Sequence, residues 1–357
     1  MTEREESLSF KENEDRRMKD KVWALLVHLS GSFSARGYEK WKSLPLSDYF
    51  DETLWREVID SVVDAGMNTI VLESIDGVKY DSHPEISRPD AYSKEWVKEQ
   101  VKLCREKGIA LIPKINFSAT HDEWLGEYAR MLSTSVYYKV VKDLIEETYE
   151  MFDRPAYIHL GMDEESIQYL AKKKFVVYRK GELYFHDLKY LCDCVNALGA
   201  KPWIWSSPMY DMPELFCKHI SPDEVIINPY YYNAFDPAHY TPVESRAEYI
   251  AYYNEDKYKE MGIKFVEEDP YLVHFRLKSL PMMEYGYKYV PCASVFNRCD
   301  YNTADIMAYY KKYANDDQIL GYITAPWISL TRNERSLTYL EETFRFFKEA
   351  KETFYGK

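Results

Sequence analysis

The run YIHLGMDEES, from Tyr157, is apolar until it ends abruptly in three consecutive acids, Asp163, Glu164 and Glu165. Two carboxylates at one place suit general acid–base chemistry: a protonated one can donate to a leaving oxygen while an ionised neighbour stabilises developing positive charge. Adjacent residues of an extended chain face opposite ways, so Asp163 and Glu164 can serve one ligand only if the chain turns there. The same acids would also suit the first turn of a following helix, where the helix dipole favours negative charge. Spacing alone leaves both readings open. Glu73, Asp76 and Asp300 lie at or just beyond the ends of other apolar runs and are candidate ligand groups, although loop solubility would explain them too. His121 opens a His-Asp-Glu run that reads either as a site residue or as an exposed helix start. His159, in mid-strand, reads as a buried and satisfied histidine. His159, His121 and Glu73 are conceivable metal ligands, but no HExxH or other tight spacing supports a site, and neither metal nor cofactor is expected.

The elements that must position these groups alternate along the chain. Eight short apolar runs can be counted: Val22 to His28, Thr69 to Glu73, Ala110 to Asn116, Tyr157 to Asp163, Pro202 to Ser206, Val225 to Tyr230, Val290 to Phe296 and Gly321 to Trp327. Amphipathic stretches separate them, such as Glu52 to Ala65, Glu95 to Lys107, Val136 to Phe152, Asp187 to Leu198 and Thr303 to Tyr313. Gly66, Gly108 and Gly199 stand where helix C-caps belong. Repeated strand–helix units with no GxGxxG or P-loop sequence predict a (β/α)₈ TIM barrel rather than an open nucleotide-binding sheet. The barrel is expected over 21–357 as a single domain, behind a solvated arm at 1–20. FVVYRKGELYF, 175–185, reads as a hairpin inserted after strand four. Residues 231–288, with a helix over Glu244 to Met261, read as an elaborated crossover between strands six and seven. Trp203 is read as facing away from Trp205, so that one of the two belongs to the core.

With 46 basic and 59 acidic residues the net charge is −13, and no Lys/Arg block is arranged to track phosphates, so nucleic acid is not an expected partner. The first twenty residues are charged throughout and no stretch is long and apolar enough to span a membrane, so neither a secretory signal nor a membrane partner is expected, and the expected location is cytoplasmic. Six scattered cysteines without CxxC spacing read as reduced, buried thiols. The 33 Tyr, 8 Trp and 16 Phe suit a cleft that stacks aromatic faces on sugar rings, as well as an aromatic core. A homodimer is left open.

IHLGMDE resembles the HxGGDE signature of glycoside hydrolase family 20, the β-N-acetylhexosaminidases. MNTIVLESIDG from Met67, GIALIPKINFSATH from Gly108, PWIWSSP from Pro202 and ITAPWISL from Ile323 are similar, in order, to further strand segments of that family, across roughly 66–330. The resemblance implies a glycosidase acting on a terminal N-acetylhexosamine by a substrate-assisted retaining mechanism, in which the sugar's acetamido oxygen attacks the anomeric carbon. It implies that Asp163 orients the acetamido group, that Glu164 is the general acid and then the base, and that His121 supports Glu164. Trp205 and Trp327 would wall the sugar subsite, and one of Tyr230, Tyr231 and Tyr232 would hold the acetamido oxygen. The sequence departs from the family pattern at several positions. Strand one holds His28, Ser30 and Ser32 but no arginine to grip sugar hydroxyls, Met162 replaces a glycine, Glu73 stands at a histidine position, Lys114 and Asn116 replace two acids, and Ile328 replaces an acid after the last tryptophan. A two-carboxylate glycosidase pairing Glu164 with Glu73 or Asp76, and a non-catalytic carbohydrate-binding protein on a hydrolase scaffold, are the alternatives.

Overall fold

The structure, a computed structural model, describes residues 21–31, 43–165, 170, 175–233, 235 and 270–356, without the side chains of 270–274 and 277. The arm at 1–20, Ser32, the helix expected over Glu244 to Met261 and most of the crossover before strand seven lie outside the described residues.

The described strands form one wholly parallel sheet. Its strands are β1 (Val22–His28), β2 (Thr69–Glu73), β3 (Ala110–Lys114), β4 (Tyr157–His159), β5 (Lys201–Trp205), β6 (Ile226–Asn228), β7 (Lys288–Tyr289), β8 (Cys292–Ala293) and β9 (Gly321–Thr324), in the order β7-β6-β5-β4-β3-β2-β1-β9-β8. β7 and β8 are two halves of one extended run broken at Pro291, which has no N–H to donate to a ladder. The first half bonds β6 and the second bonds β9, so this run joins the two ends of the sheet and the architecture is an α/β barrel. The expected strand over Val290 to Phe296 therefore begins earlier and is split.

Helices cover the outside: α1 (Glu52–Asp64), α2 (Lys94–Glu106), α3 (Ser135–Met151), α4 (Glu182–Ala197), the short α5 (Ser207–Asp211) and α6 (Pro213–His219), α7 (Pro270–Met283), α8 (Asn302–Tyr313) and α9 (Glu334–Tyr355). Local chemistry sets several starts. The Asp51 carboxylate accepts from the N–H groups of Thr53 and Leu54, and Ser93, Thr134 and Asn333 cap α2, α3 and α9 in the same way. None of the described helices is long and apolar enough to cross a membrane.

The period-2 alternation of strands divides the core in two. Leu25, Val27, Ile70, Leu72 and Leu111 face the helices, whereas Ala24, Leu26, Val71, Ile112, Trp203, Trp205, Ile226 and Ile323 fill the barrel. Trp203 and Trp205 thus share the interior, since residues two apart on a strand lie on one face; the expectation that they diverge is corrected.

The expected hairpin is also corrected. Residues 176–180 join no ladder, and Gly181, at φ +58°, precedes α4. ELYF carries the helical register, with Tyr184, Phe185, Leu188 and Leu191 buried together, and this burial overrides the turn-like Lys180-Gly181 pair.

Candidate active site

Strand register places His28, Glu73, Lys114 and His159 in one row across β1 to β4, and alternation turns them into the barrel at its carboxyl end. The Lys114 ammonium pairs with Glu73 Oε2, and His28 Nδ1 lies 3.3 Å from Glu73 Oε1. All three side chains are at most 4% exposed. Burial, helped by the charges of Lys114 and His121, holds the His28 pKa well below the ordinary histidine value. Burial also lowers the Lys114 ammonium to about 8, against the opposing pull of Asp163. His159 is buried and held neutral by desolvation, and its Nδ1 accepts from the Gly161 N–H at 3.0 Å, but its Nε2 is buried with no hydrogen-bond partner among the described residues, so the expected satisfied histidine is only half satisfied.

Beyond His159 the chain makes the turn that the acids require. Gly161, Met162 and Glu164 take φ values of +72°, +64° and +54°, a left-handed region that is strained for side chains other than glycine and is tolerated where surrounding structure enforces it. Asp163 and Glu164 consequently reach one cavity instead of diverging. Asn116 Nδ2 donates to Asp163 Oδ1 at 3.0 Å, and Ser118 and Thr120 hydroxyls donate to the Asp163 carbonyl. A Cβ on Gly161 would lie 1.9 Å from Asn116 Oδ1. Gly161→Ala should therefore push Asn116 off Asp163, with roughly a tenfold loss in kcat and a destabilisation of about 2 kcal/mol from strain and clash. Steady-state assay and thermal melting check both; a variant equal to wild type in both would show that this contact positions nothing.

His121 Nε2 lies 3.5 Å from Asp163 Oδ2 and 3.6 Å from Glu164 Oε2. Burial opposes its charge, but the Asp163 carboxylate and then Glu164 outweigh burial and raise its pKa above 6.5. Since the folded pKa is the higher one, the stabilisation by this imidazolium is complete below about 6.5 and is lost as pH rises through the folded value. The thermal midpoint of wild type should exceed that of His121→Gln most at pH 6, and the gap should narrow towards pH 8.5. A gap constant with pH would take the imidazolium out of the site. One ligand atom from each of His121, Asp163 and Glu164 lies within 4.8 Å of the others, close enough to hold a cation. The 41 positions between His121 and Asp163 hide this cluster from any spacing rule.

The third acid has a different task. Glu165 forms a buried ion pair with Arg179, Oε1 to Nη2, at 2.6 Å, and Arg179 Nη1 reaches Asp187 at 3.0 Å. Glu165 Oε1 also accepts from the Ala119 N–H, and Arg179 donates to the Phe117 carbonyl. One guanidinium thus ties the end of β4, the loop after β3 and the helix α4. Sequence reasoning missed Arg179.

Above the polar row, a cavity of about 910 Å³ is lined by Glu73, Lys114, Asn116, His121, Asp163 and Glu164, with Trp205, Tyr230, Tyr232 and Trp327 as its aromatic wall. The Trp205 and Trp327 ring centres are 5.9 Å apart, Tyr230 meets Trp205 edge-on at 5.5 Å, and Tyr232 meets Trp327 at 6.1 Å. Tyr231 is fully buried and stacks on Phe275 in the outer core, so the tyrosine choice narrows to its two neighbours. Asp76 does not line the cavity: it is fully buried and accepts from the Ser30 hydroxyl at 2.8 Å, which corrects its reading as a ligand group. Ile328 also lines the cavity, as do Arg332, from the segment leading into α9, and Arg335, in the first turn of α9, neither of which the sequence reading singled out.

No family model matches this chain, and no curated protein matches it. Solved structures do. The β-N-acetylhexosaminidase of Bacteroides fragilis NCTC 9343 superposes with a TM-score of 0.57 at 15% identity, covering 91% of this chain and 65% of that one. The family 20 β-N-acetylhexosaminidase of Streptomyces coelicolor A3(2) gives a TM-score of 0.59 at 12% identity, covering 93% and 64%. Dispersin B gives 0.52 at 12% identity, covering 92% and 98%. The chain thus spans slightly less than two thirds of the first two proteins and nearly all of the third. Its fold, in divergent form, is that of the glycoside hydrolase family 20 β-N-acetylhexosaminidases.

Proposed function

We propose that this protein is a glycoside hydrolase that removes a terminal N-acetylhexosamine. The observation that carries the reading is the convergence of Asp163, Glu164 and His121 on one cavity walled by Trp205, Trp327, Tyr230 and Tyr232. In this reading the sugar ring stacks between indoles, and Asp163, fixed by Asn116, accepts from the acetamido N–H. The hydroxyl of Tyr230 or Tyr232 holds the acetamido oxygen as it attacks the anomeric carbon. Glu164 donates its proton to the departing oxygen and then takes one from water, and the His121 imidazolium balances its charge. No enzymic nucleophile is required, which suits a site where Glu73 is committed to Lys114 and Asp76 lies outside the cavity. The two-carboxylate alternative would have to use Glu73, which is paired with Lys114, or Asp76, which is fully buried.

The test is hydrolysis of 4-nitrophenyl N-acetyl-β-glucosaminide and galactosaminide, with an N-acetylglucosamine thiazoline as inhibitor. Turnover with retained anomeric configuration and micromolar inhibition are expected. The lack of an arginine in the strand-one segment VWALLVHLSGSF favours one other reading, a protein that binds the sugar without cleaving it. Sugar binding with no turnover across a glycoside panel would select that reading.

A further inference from the structure

We infer that the Glu73–Lys114 pair is a clamp for two adjacent hydroxyls of a neutral sugar ring, seated at the cavity floor on the side away from the bond that is cut. The inference rests on the sugar-binding reading above and names the feature of the sugar that is read. Both side chains line the cavity although their exposures are only 2% and 4%, so the surface they retain opens into it. An ammonium carries three N–H donors, and among the described residues Lys114 meets one acceptor, the Glu73 carboxylate. Among the described residues its other donors meet no acceptor, and a ligand hydroxyl can supply one. Asn116 is not in the same position, since its amide is occupied by Asp163 and by the Ser118 N–H.

A donor and an acceptor fixed side by side match a vicinal diol. One hydroxyl accepts from Lys114, and its neighbour donates to Glu73. The charge of the floor fixes the class of ligand. Glu73 and Lys114 cancel, and His28 behind them is neutral, so a carboxylate or phosphate would find no net attraction, whereas hydroxyls find both hydrogen-bonding partners. Trp327, whose ring centre is 5.3 Å from that of His28, sets an aromatic face beside the clamp for the C–H face of the same ring. A buried ion pair is costly to keep dry, and its placement where a ligand can complete its hydrogen bonds accounts for its presence at a cavity wall.

The test measures binding of N-acetylglucosamine, glucose, and their 3-deoxy and 4-deoxy analogues by tryptophan fluorescence, with hydrolysis of the corresponding aryl glycosides in parallel. Wild type should lose about 10- to 100-fold in affinity for one of the deoxy analogues, the range of a hydrogen bond to a charged group. Lys114→Met should lose a similar factor on the parent sugar and no longer distinguish it from that analogue. The double variant Glu73→Gln/Lys114→Met leaves no lone buried charge, so it keeps the comparison readable if the single variant does not fold. Wild-type affinity that is indifferent to both deoxygenations overturns the clamp, as does a sugar panel that never binds. If glucose binds with the expected deoxy penalty while N-acetylglucosaminides are neither bound nor cleaved, the clamp stands and the proposed N-acetylhexosaminidase activity falls.

Discussion

Glu164→Gln should lower kcat on an N-acetyl-β-hexosaminide with a poor leaving group by about 10²- to 10⁴-fold, the usual contribution of a positioned proton donor, while KM changes little. The amide keeps the shape of the side chain and its place on the turn after β4 but cannot give up a proton to the glycosidic oxygen. The loss should therefore depend on the leaving group. A methyl or sugar aglycone needs the proton and should show the whole effect, whereas a dinitrophenolate departs without it and should show a smaller one. This dependence separates loss of the acid from a general disturbance of the site, which would slow all substrates alike. Glu164 also faces His121 at 3.6 Å, and the substitution should lower the histidine pKa by removing one of the two carboxylates that raise it. Equal rates for variant and wild type on both classes of substrate would exclude Glu164 from the chemistry.

How far the site could be read from the sequence depends on whether a residue's position is set locally or by the turning of the chain. Thr69–Glu73 and Ala110–Lys114 are short apolar runs that each end in one charged residue, a local property, and the strand register pairs Glu73 with Lys114. The strand ends were legible for the same reason, and the acids at 163–165 lie where the run in front of them indicates. The division of labour among those acids was not legible. The left-handed backbone at Met162 and Glu164 turns Asp163 and Glu164 to the cavity and Glu165 to Arg179, and nothing in MDEE announces that conformation. Tyr231 and Asp76 were ambiguous because neighbours in a loop can face either core or cavity. Lys180-Gly181 has the composition of a tight turn, but the burial of Tyr184, Leu188 and Leu191 on one face of α4 decides its structure. Arg179 was hidden by that misreading, since its partners Glu165 and Phe117 lie on other strands' loops.

The buried network around Arg179 carries the second large effect. Arg179→Leu should destabilise the protein by about 3–5 kcal/mol, because Glu165 and Asp187 would keep their charges in a dry interior without the cation that balances them. For a chain of this length the entropy of unfolding converts that loss to a fall in thermal midpoint of roughly 4–7 °C. Asp187 retains the Ser133 and Tyr138 hydroxyls, 2.7 and 2.5 Å away, so Glu165, with the Ala119 N–H at 2.8 Å, is the more exposed to the loss. A second change, Glu165→Leu, should then recover part of the midpoint by removing the stranded charge, although each change alone is harmful. That non-additivity is expected only if the two groups interact directly in the folded state. Activity should not recover with stability. Arg179 and Glu165 together tie the Phe117 to Ala119 loop, which leads to His121, to the turn that presents Asp163 and Glu164. An apolar pair can fill the volume but cannot hold the Phe117 carbonyl or the Ala119 N–H. A double variant with restored midpoint and kcat still reduced at least tenfold would place Arg179 as a positioning residue for the acid–base pair. Full recovery of both would reduce its role to packing.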